Sequence, residues 1–405
     1  VCALSEAKGM ITNMKFSDYN VFTLNKDSLY ILNTLHGNFA KINVDADEIY
    51  SAMKGDGKIP KCHLEFMIKN NFVIENNVNE YEECTKFSQR LIKNDDLLNL
   101  IILPTERCNF NCTYCYEYHD GEILKDEYVD LVVEFVEHHI EGKKGLNVSW
   151  FGGEPLINLA MVRRLSLKLL ELCHSHKISY SANMTTNGYL LDLETVKELR
   201  KLHIYRYQIT VDGFSKTHDK QRILIGGGNT WNKIINNLED IRDNIHSGVM
   251  QYTIRTNVCR EIYEEYKEFI DFLDNHFGQD ARFRFLIRKV SDWGNIDDSV
   301  KGTFISDLEY EEILQYALDK GMFNVAMQIA ITPGGNLCYA WKDNCYVIRA
   351  NGNIGKCTVL IDDDINQLGH ISQTEIYNKF WIHDIKNAPE SCKGCRKYPI
   401  CLKVK

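Results

Sequence analysis

The stretch Leu97-Leu-Asn-Leu-Ile-Ile-Leu-Pro104, running on to Cys108-Asn-Phe-Asn-Cys112-Thr-Tyr-Cys115, decides how this chain is read. Its first half is a short apolar run that stops at a proline and predicts a buried strand. Its second half places three cysteines directly after that strand. Outward from it the pattern repeats. Tyr128, Leu131, Val132, Phe135, Val136 and Ile140 recur at helical spacing. Further strand-like runs are Leu146–Phe151, Ile178–Met184, Ile204–Val211, Tyr252–Val258 and Phe283–Ile287. Helical segments are predicted near 156–174, 192–202, 231–245, 261–276 and 307–320. Parallel neighbours need helical crossovers, so this run of strand–helix units predicts an α/β fold built on a parallel sheet.

Six units suit an open, partial (β/α)6 barrel of the TIM type better than a closed eight-stranded one. In such barrels chemistry sits at the C-terminal ends of the strands. The cysteine triplet, Gly152–Pro155, Thr185–Gly188 and Asp212–Gly213 all follow strands directly, which puts four informative loops on one rim. The barrel is expected over residues 97–320. Residues 10–95 read as a separate small module of winged-helix shape, with strands at Val21–Leu24 and Tyr30–Leu32 and helices at Asp45–Met53 and Lys61–Asn70. Asn76–Asp96 reads as a polar linker containing a helix. Residues 321–405 form a third region rich in Gly, Asn and Cys. In it Val347–Arg349 and Ile354–Cys357 flank Asn351-Gly352, a hairpin-turn signal.

Bulk composition narrows the function. A chain of 405 residues predicts two or three domains. With 44% hydrophobic and 25% charged residues it has a globular composition. The net charge of −9 argues against nucleic acid as partner, because that binding needs clustered positive charge. No run of 18 apolar residues exists, so no membrane span is expected. Val1–Gly9 lack the basic end and apolar run of a signal peptide, and Met10 reads as a natural start, so a cytoplasmic location is expected. Fourteen cysteines in such a chain point to metal or redox chemistry before disulfides. Nine fall in three blocks, at 108–115, 338–357 and 392–401. Cys2, Cys62, Cys84, Cys173 and Cys259 are scattered, and are expected to be small core hydrophobes.

The C-x3-C-x2-C spacing of Cys108, Cys112 and Cys115 seats three thiolates in one tight loop. A four-iron cube held by three thiolates keeps one iron open, as a reactive centre needs. Zinc is the alternative and wants a fourth ligand, for which His119 is near in sequence. One strand later comes Trp150-Phe-Gly152-Gly153-Glu154-Pro155. Its glycines allow the backbone close to a ligand and Glu154 offers a carboxylate to a cationic amine.

These two motifs together resemble the radical S-adenosylmethionine superfamily. The resemblance implies that Cys108, Cys112 and Cys115 hold a [4Fe–4S] cluster whose fourth iron binds S-adenosylmethionine. It implies that Gly152, Gly153 and Glu154 face the methionine amino group and that Tyr114 lies by the adenine. Thr186 and Asn187 belong to a matching loop after the third strand. Thr210 and Arg222 match positions that hold the ribose or carboxylate in one branch of the superfamily, a task that the planar fork of arginine suits. Cys338, Cys345 and Cys357, followed by Cys392, Cys395 and Cys401, resemble the SPASM extension, which carries auxiliary [4Fe–4S] clusters, usually two. The sequence departs from that pattern at its end, where the next expected cysteine falls on Lys405. A structural zinc knuckle is the alternative there.

The same resemblance implies a substrate class. SPASM enzymes mostly modify peptides and proteins, and residues 10–95 are similar to the precursor-recognition domains fused to peptide maturases. Those domains take a leader peptide as an added strand on a sheet edge. The expected function is maturation of a ribosomal precursor peptide by hydrogen abstraction and an intrapeptide thioether or carbon–carbon crosslink. A reducing donor such as flavodoxin or ferredoxin would serve as partner. Two enzymatic alternatives are a sulfatase-type maturase that forms formylglycine, and a peptide epimerase in which Cys259 donates hydrogen. A non-catalytic iron–sulfur or zinc scaffold is the alternative outside enzymes.

Overall fold

The computed structural model describes residues 13–93, 96–117, 121–293, 298–322, 325–373, 376–381 and 389–402. The chain forms two compact units. One comprises residues 1–93, 327–338 and 383–405, the other 94–326 and 339–382. The region after 321 is therefore divided. Cys338, Cys392, Cys395 and Cys401 belong to the first unit, and Cys345 and Cys357 to the second.

The second unit is α/β and is built on a mostly parallel nine-stranded sheet. Six strands lie side by side in chain order: Leu97–Ile102, Gly145–Trp150, Ser179–Thr186, Ile204–Thr210, Gln251–Val258 and Phe283–Lys289. Each neighbouring pair among them is parallel. Every one coincides with a strand-like run in the sequence, and along most of them the buried residues alternate with less buried ones. The intervening helices bury one face. Val129, Val132, Phe135 and Val136 do so on Tyr128–His139, and Met161, Val162, Leu165 and Leu169 on Leu159–Ser175. The helix expected over 261–276 is instead Arg260–Glu264, Tyr266–Leu273 and a π turn at Asp274–Gly278. At the break, the Glu265 carboxylate accepts the Phe214 N–H at 3.1 Å.

Three more strands extend the sheet beyond Leu97–Ile102. Cys345–Ile348 runs parallel to it, with Tyr346 opposite Leu100. Asn353–Gly355 then turns back antiparallel, so the Asn351-Gly352 hairpin forms, and Gly369–His370 closes the edge. The extra strand also receives the Asn99 N–H at Asn344 O and gives Ile348 O to the Leu103 N–H.

The first unit holds a three-stranded antiparallel sheet of Asn20–Asn25, Ser28–Asn33 and Phe39–Ile42. Helices Ala46–Lys54 and Lys61–Lys69 pack Ile49, Met53 and Met67 with Leu29 and Ile31 of that sheet. Met14–Phe16 pairs antiparallel with Val73–Glu75. Helix Glu80–Lys93 lies in the segment expected to be a linker. A second small core joins Tyr19, Leu35 and Cys84 to Tyr398 and Leu402.

Among the scattered cysteines, Cys84, Cys173 and Cys259 are buried as expected of small hydrophobes, but Cys62 is exposed. Cys2 lies outside the described residues.

Candidate functional site

The cysteine loop leaves the first strand and is fixed at both ends by backbone bonds. Leu124 N–H donates to Pro104 O at 3.0 Å, and Ile225 N–H donates to Asn109 O at 2.8 Å. In its middle, Phe110–Cys112 forms a short antiparallel ribbon with Arg222–Leu224, Cys112 facing Arg222. A three-residue strand carries no readable period, so this pairing has no local signature. Burial pushes the Cys108 and Cys115 thiols up to about 12 and the Cys112 thiol up as well. Such thiols stay protonated in neutral water unless metal takes the proton's place. The three sulfurs do not all lie within 4.8 Å of one another, whereas thiolates sharing one zinc would sit about 3.8 Å apart. His119, considered as a fourth zinc ligand, lies outside the described residues.

The glycine turn presses against this loop. Gly153 N–H donates to Thr105 O at 3.3 Å, and Glu154 N–H to Arg107 O at 2.9 Å. A Cβ on Gly152 would meet Thr105 O at 2.3 Å, and one on Gly153 would meet Arg107 O at the same distance. Gly152 also sits at φ +109°, where a side chain is strained. Both glycines face a cavity of about 170 Å³ at the C-terminal ends of the strands. Glu154 is fully buried behind them and does not line it. Its carboxylate accepts from Leu156 N at 3.1 Å, Thr186 Oγ1 at 2.8 Å and Asn187 N at 2.7 Å. Glu154 thus orders the loop after the third strand. Asn187 in turn donates to Asn109 Oδ1 at 2.7 Å, tying that loop to the cysteine loop.

The opposite wall is a buried polar network. Tyr114 OH donates to Asp212 Oδ2 and accepts from Arg222 Nη1 at 2.8 Å and Asn257 Nδ2 at 3.1 Å. Asn257 N–H donates to Asp212 Oδ1 at 2.6 Å. Burial pushes the Asp212 carboxyl up, opposed by the nearby Arg222 guanidinium and the Tyr114 hydroxyl. Arg222 is 6% exposed, so it is no solvated loop charge, and its Nε–H is buried without a partner. An orphaned cationic N–H on a cavity wall calls for an acceptor. Thr210 lines the same wall.

The structure therefore brings together Cys108, Cys112, Cys115, Tyr114, Gly152, Gly153, Thr186, Asn187, Thr210 and Arg222 around one cavity. Cys259 is not part of that lining. It starts helix Arg260–Glu264, is 3% exposed, and meets Gln221 Nε2 at 2.6 Å and Glu261 Oε2 at 3.1 Å. Sequence reading had not singled out Gln208, Arg255 and Asn257, which also line the cavity. The available signal was polar residues at alternating positions near the ends of otherwise apolar strands.

The later cysteines differ in surroundings. Cys345 and Cys357 are buried, and the Cys357 sulfur faces the N–H groups of Val359 and Leu360 at 3.4 and 3.5 Å. Cys392 and Cys401 are half-buried, whereas Cys338 and Cys395 are exposed. Lys405 lies outside the described residues.

The donor set fits the group that the motifs imply. Three thiols, a glycine wall open to close approach and an unsatisfied arginine N–H surround one cavity. No helix among the described residues is long and apolar enough to cross a membrane.

Comparison with known proteins agrees. The family model for the radical SAM superfamily matches residues 102–273. A cysteine-type anaerobic sulfatase-maturating enzyme of Clostridium novyi is 22% identical over 75% of this chain and 86% of its own length. The radical SAM cyclopropyl synthase TigE of Paramaledivibacter caminithermalis is 21% identical over 79% of this chain and 74% of its own. Among solved structures, Streptococcus suis SuiB bound to its precursor peptide SuiA superposes with a TM-score of 0.53 at 17% identity, covering 96% of this chain and 94% of SuiB. With its cysteine loop, its parallel sheet and this match, the chain carries a radical SAM domain over residues 102–273.

Proposed function

We propose that this protein is a radical SAM peptide maturase that takes a hydrogen atom from a ribosomal precursor peptide and closes a bond within it. The observation that carries the reading is the cavity lined by three thiols, Gly152, Gly153 and Arg222, whose buried Nε–H has no partner. When bound there, the cluster and S-adenosylmethionine supply a 5′-deoxyadenosyl radical that abstracts hydrogen.

The chain's own residues bind, orient and shield. Cys108, Cys112 and Cys115 hold the cluster. Gly152 and Gly153 let the backbone approach the methionine end, and Glu154 stiffens that wall by holding Thr186 and Asn187. Arg222 offers its unpaired N–H to a carboxylate or ribose oxygen, while Tyr114, Asp212 and Asn257 fix its guanidinium and the cysteine loop in one frame. Burial of this frame keeps water from the reacting carbon.

The substrate side of the proposal rests on the first unit and on the relatives. Residues 10–95 are assigned to recognising a leader peptide, and Cys338, Cys345, Cys357, Cys392, Cys395 and Cys401 to auxiliary clusters. SuiB, of the same fold, binds a precursor peptide. Closing a bond after hydrogen abstraction leaves one electron to remove, and auxiliary clusters would accept it. A thioether is the first candidate for the new bond and a carbon–carbon link the second.

The test is anaerobic incubation of enzyme, dithionite, S-adenosylmethionine and the short precursor peptide encoded beside the gene. A peptide lighter by two hydrogens, with 5′-deoxyadenosine formed, supports the reading. Formation of 5′-deoxyadenosine with an unchanged peptide refutes this substrate. Likeness to the Clostridium novyi enzyme favours a second reading, oxidation of a cysteine in a sulfatase. Exchange of sulfur for oxygen in a sulfatase peptide would mark it.

A further inference from the structure

We infer that the first unit holds a zinc ion between Asp45, Cys62 and His63, using none of the cysteines assigned above. Asp45 directly precedes helix Ala46–Lys54, and Cys62 and His63 open helix Lys61–Lys69. His63 Nε2 lies 3.1 Å from Asp45 Oδ2, and Cys62 Sγ lies 3.7 Å from the same oxygen. All three donor atoms lie within 4.8 Å of one another. Zinc binds imidazole and carboxylate at about 2.0–2.2 Å and thiolate at about 2.3 Å. Around a tetrahedral ion those lengths separate nitrogen from oxygen by about 3.4 Å and sulfur from oxygen by about 3.6 Å. The two distances from Asp45 Oδ2, 3.1 and 3.7 Å, are close to the matching edges of that tetrahedron.

The donor chemistry selects the metal. A thiolate, an imidazole and a carboxylate suit zinc, whereas magnesium and calcium want oxygen alone. Among the described residues no other group of three or more such side chains is this close. Cys62 is exposed, which leaves its sulfur available and the fourth position open to water. The ion would fasten the starts of two helices across the loop that carries Gly55 and Gly57 at positive φ. Both helices contribute to the core against the three-stranded sheet, so the clamp would hold the recognition module in shape.

Metal analysis of the full-length protein, purified anaerobically from zinc-supplemented medium, tests this. The variants are Cys62→Ser, His63→Gln and the near-isosteric Asp45→Asn, with iron content as the check that each has folded. Wild-type protein should carry one zinc per chain that each variant loses at unchanged iron. Zinc-edge absorption should show one sulfur near about 2.3 Å and nitrogen or oxygen near about 2.0–2.2 Å. Added zinc should raise the melting temperature of the wild type and not of the variants. Zinc content equal in wild type and in all three variants overturns the inference, and so does an all-sulfur zinc shell.

Discussion

Gly153→Ala puts the contact between the glycine turn and the cysteine loop to a direct test. Its new Cβ would lie 2.3 Å from Arg107 O, 2.5 Å from Arg107 C and 2.8 Å from Glu106 O, all backbone atoms. Real contacts of this kind stop near 3.0 Å, so the Arg107 carbonyl must retreat by about 0.7 Å. That movement stretches the 2.9 Å bond from Glu154 N–H to Arg107 O to about 3.6 Å, past hydrogen-bond range. Crowding costs about 1–3 kcal/mol and the stranded buried N–H about 1–3 kcal/mol more. A loss of about 2–6 kcal/mol is a large share of the 5–15 kcal/mol typical of a domain. The shift also reaches Cys108, which follows Arg107 directly. Denaturant unfolding, iron and sulfide per chain after reconstitution, and 5′-deoxyadenosine formation would read the effect. A lower midpoint, less iron and a rate at least about 100-fold down are expected. Gly248→Ala is the control, because nothing lies within 4 Å of its added Cβ. Wild-type iron content and cleavage rate in Gly153→Ala would show the contact to be slack and the reasoning wrong.

Three further outcomes follow from particular contacts. Arg349 makes two 2.9 Å bonds to the buried Glu106 carboxylate. Arg349→Met should therefore cost about 3–5 kcal/mol in denaturant unfolding, with iron loading impaired two residues downstream. Burial lowers the His218 imidazole from 6.5 to about 3 while its Nδ1 accepts the Asp212 N–H. The unfolded chain then binds a proton that the folded one refuses, so stability should fall as pH drops below 6.5. The loss should reach on the order of 2 kcal/mol by pH 5. His218→Asn, which keeps an acceptor, should flatten that slope in unfolding curves taken from pH 7 to 5. Asp192 caps helix Leu193–Lys201 through Thr195 N–H at 2.9 Å, so Asp192→Ala should cost about 1 kcal/mol by thermal melting and leave cofactor cleavage unchanged.

The six parallel strands were legible because each carries apolar or β-branched residues in a short run or at alternating positions between helical segments. The cysteine loop and glycine turn were legible because their chemistry needs fixed residues at fixed spacing. What stayed hidden depends on contacts far apart in sequence. Tyr114 meets Asp212 and Asn257 across 98 and 143 residues, and nothing local marks those pairings. The pairing of Arg222 with Cys112 rests on a three-residue strand, again too short to be read. Phe39–Ile42 and Met14–Phe16 are too short for a period to emerge. Val347–Arg349 read as half of a hairpin, whereas the place of strand Cys345–Ile348 beside the first strand is a tertiary fact.

That placement has a cost in time. Tyr346 pairs with Leu100 across roughly 250 residues of intervening chain. At about 5–20 residues per second, the strand bearing the cysteine loop emerges from the ribosome about 12–50 s before its outer neighbour exists. Throughout that interval one flank of it shows a bare row of amide and carbonyl groups, an invitation to pair with other nascent chains. Synthesis stalled short of residue 345 would leave an adhesive fragment, so yield in a host cell should depend on elongation speed and on chaperones that shield that flank.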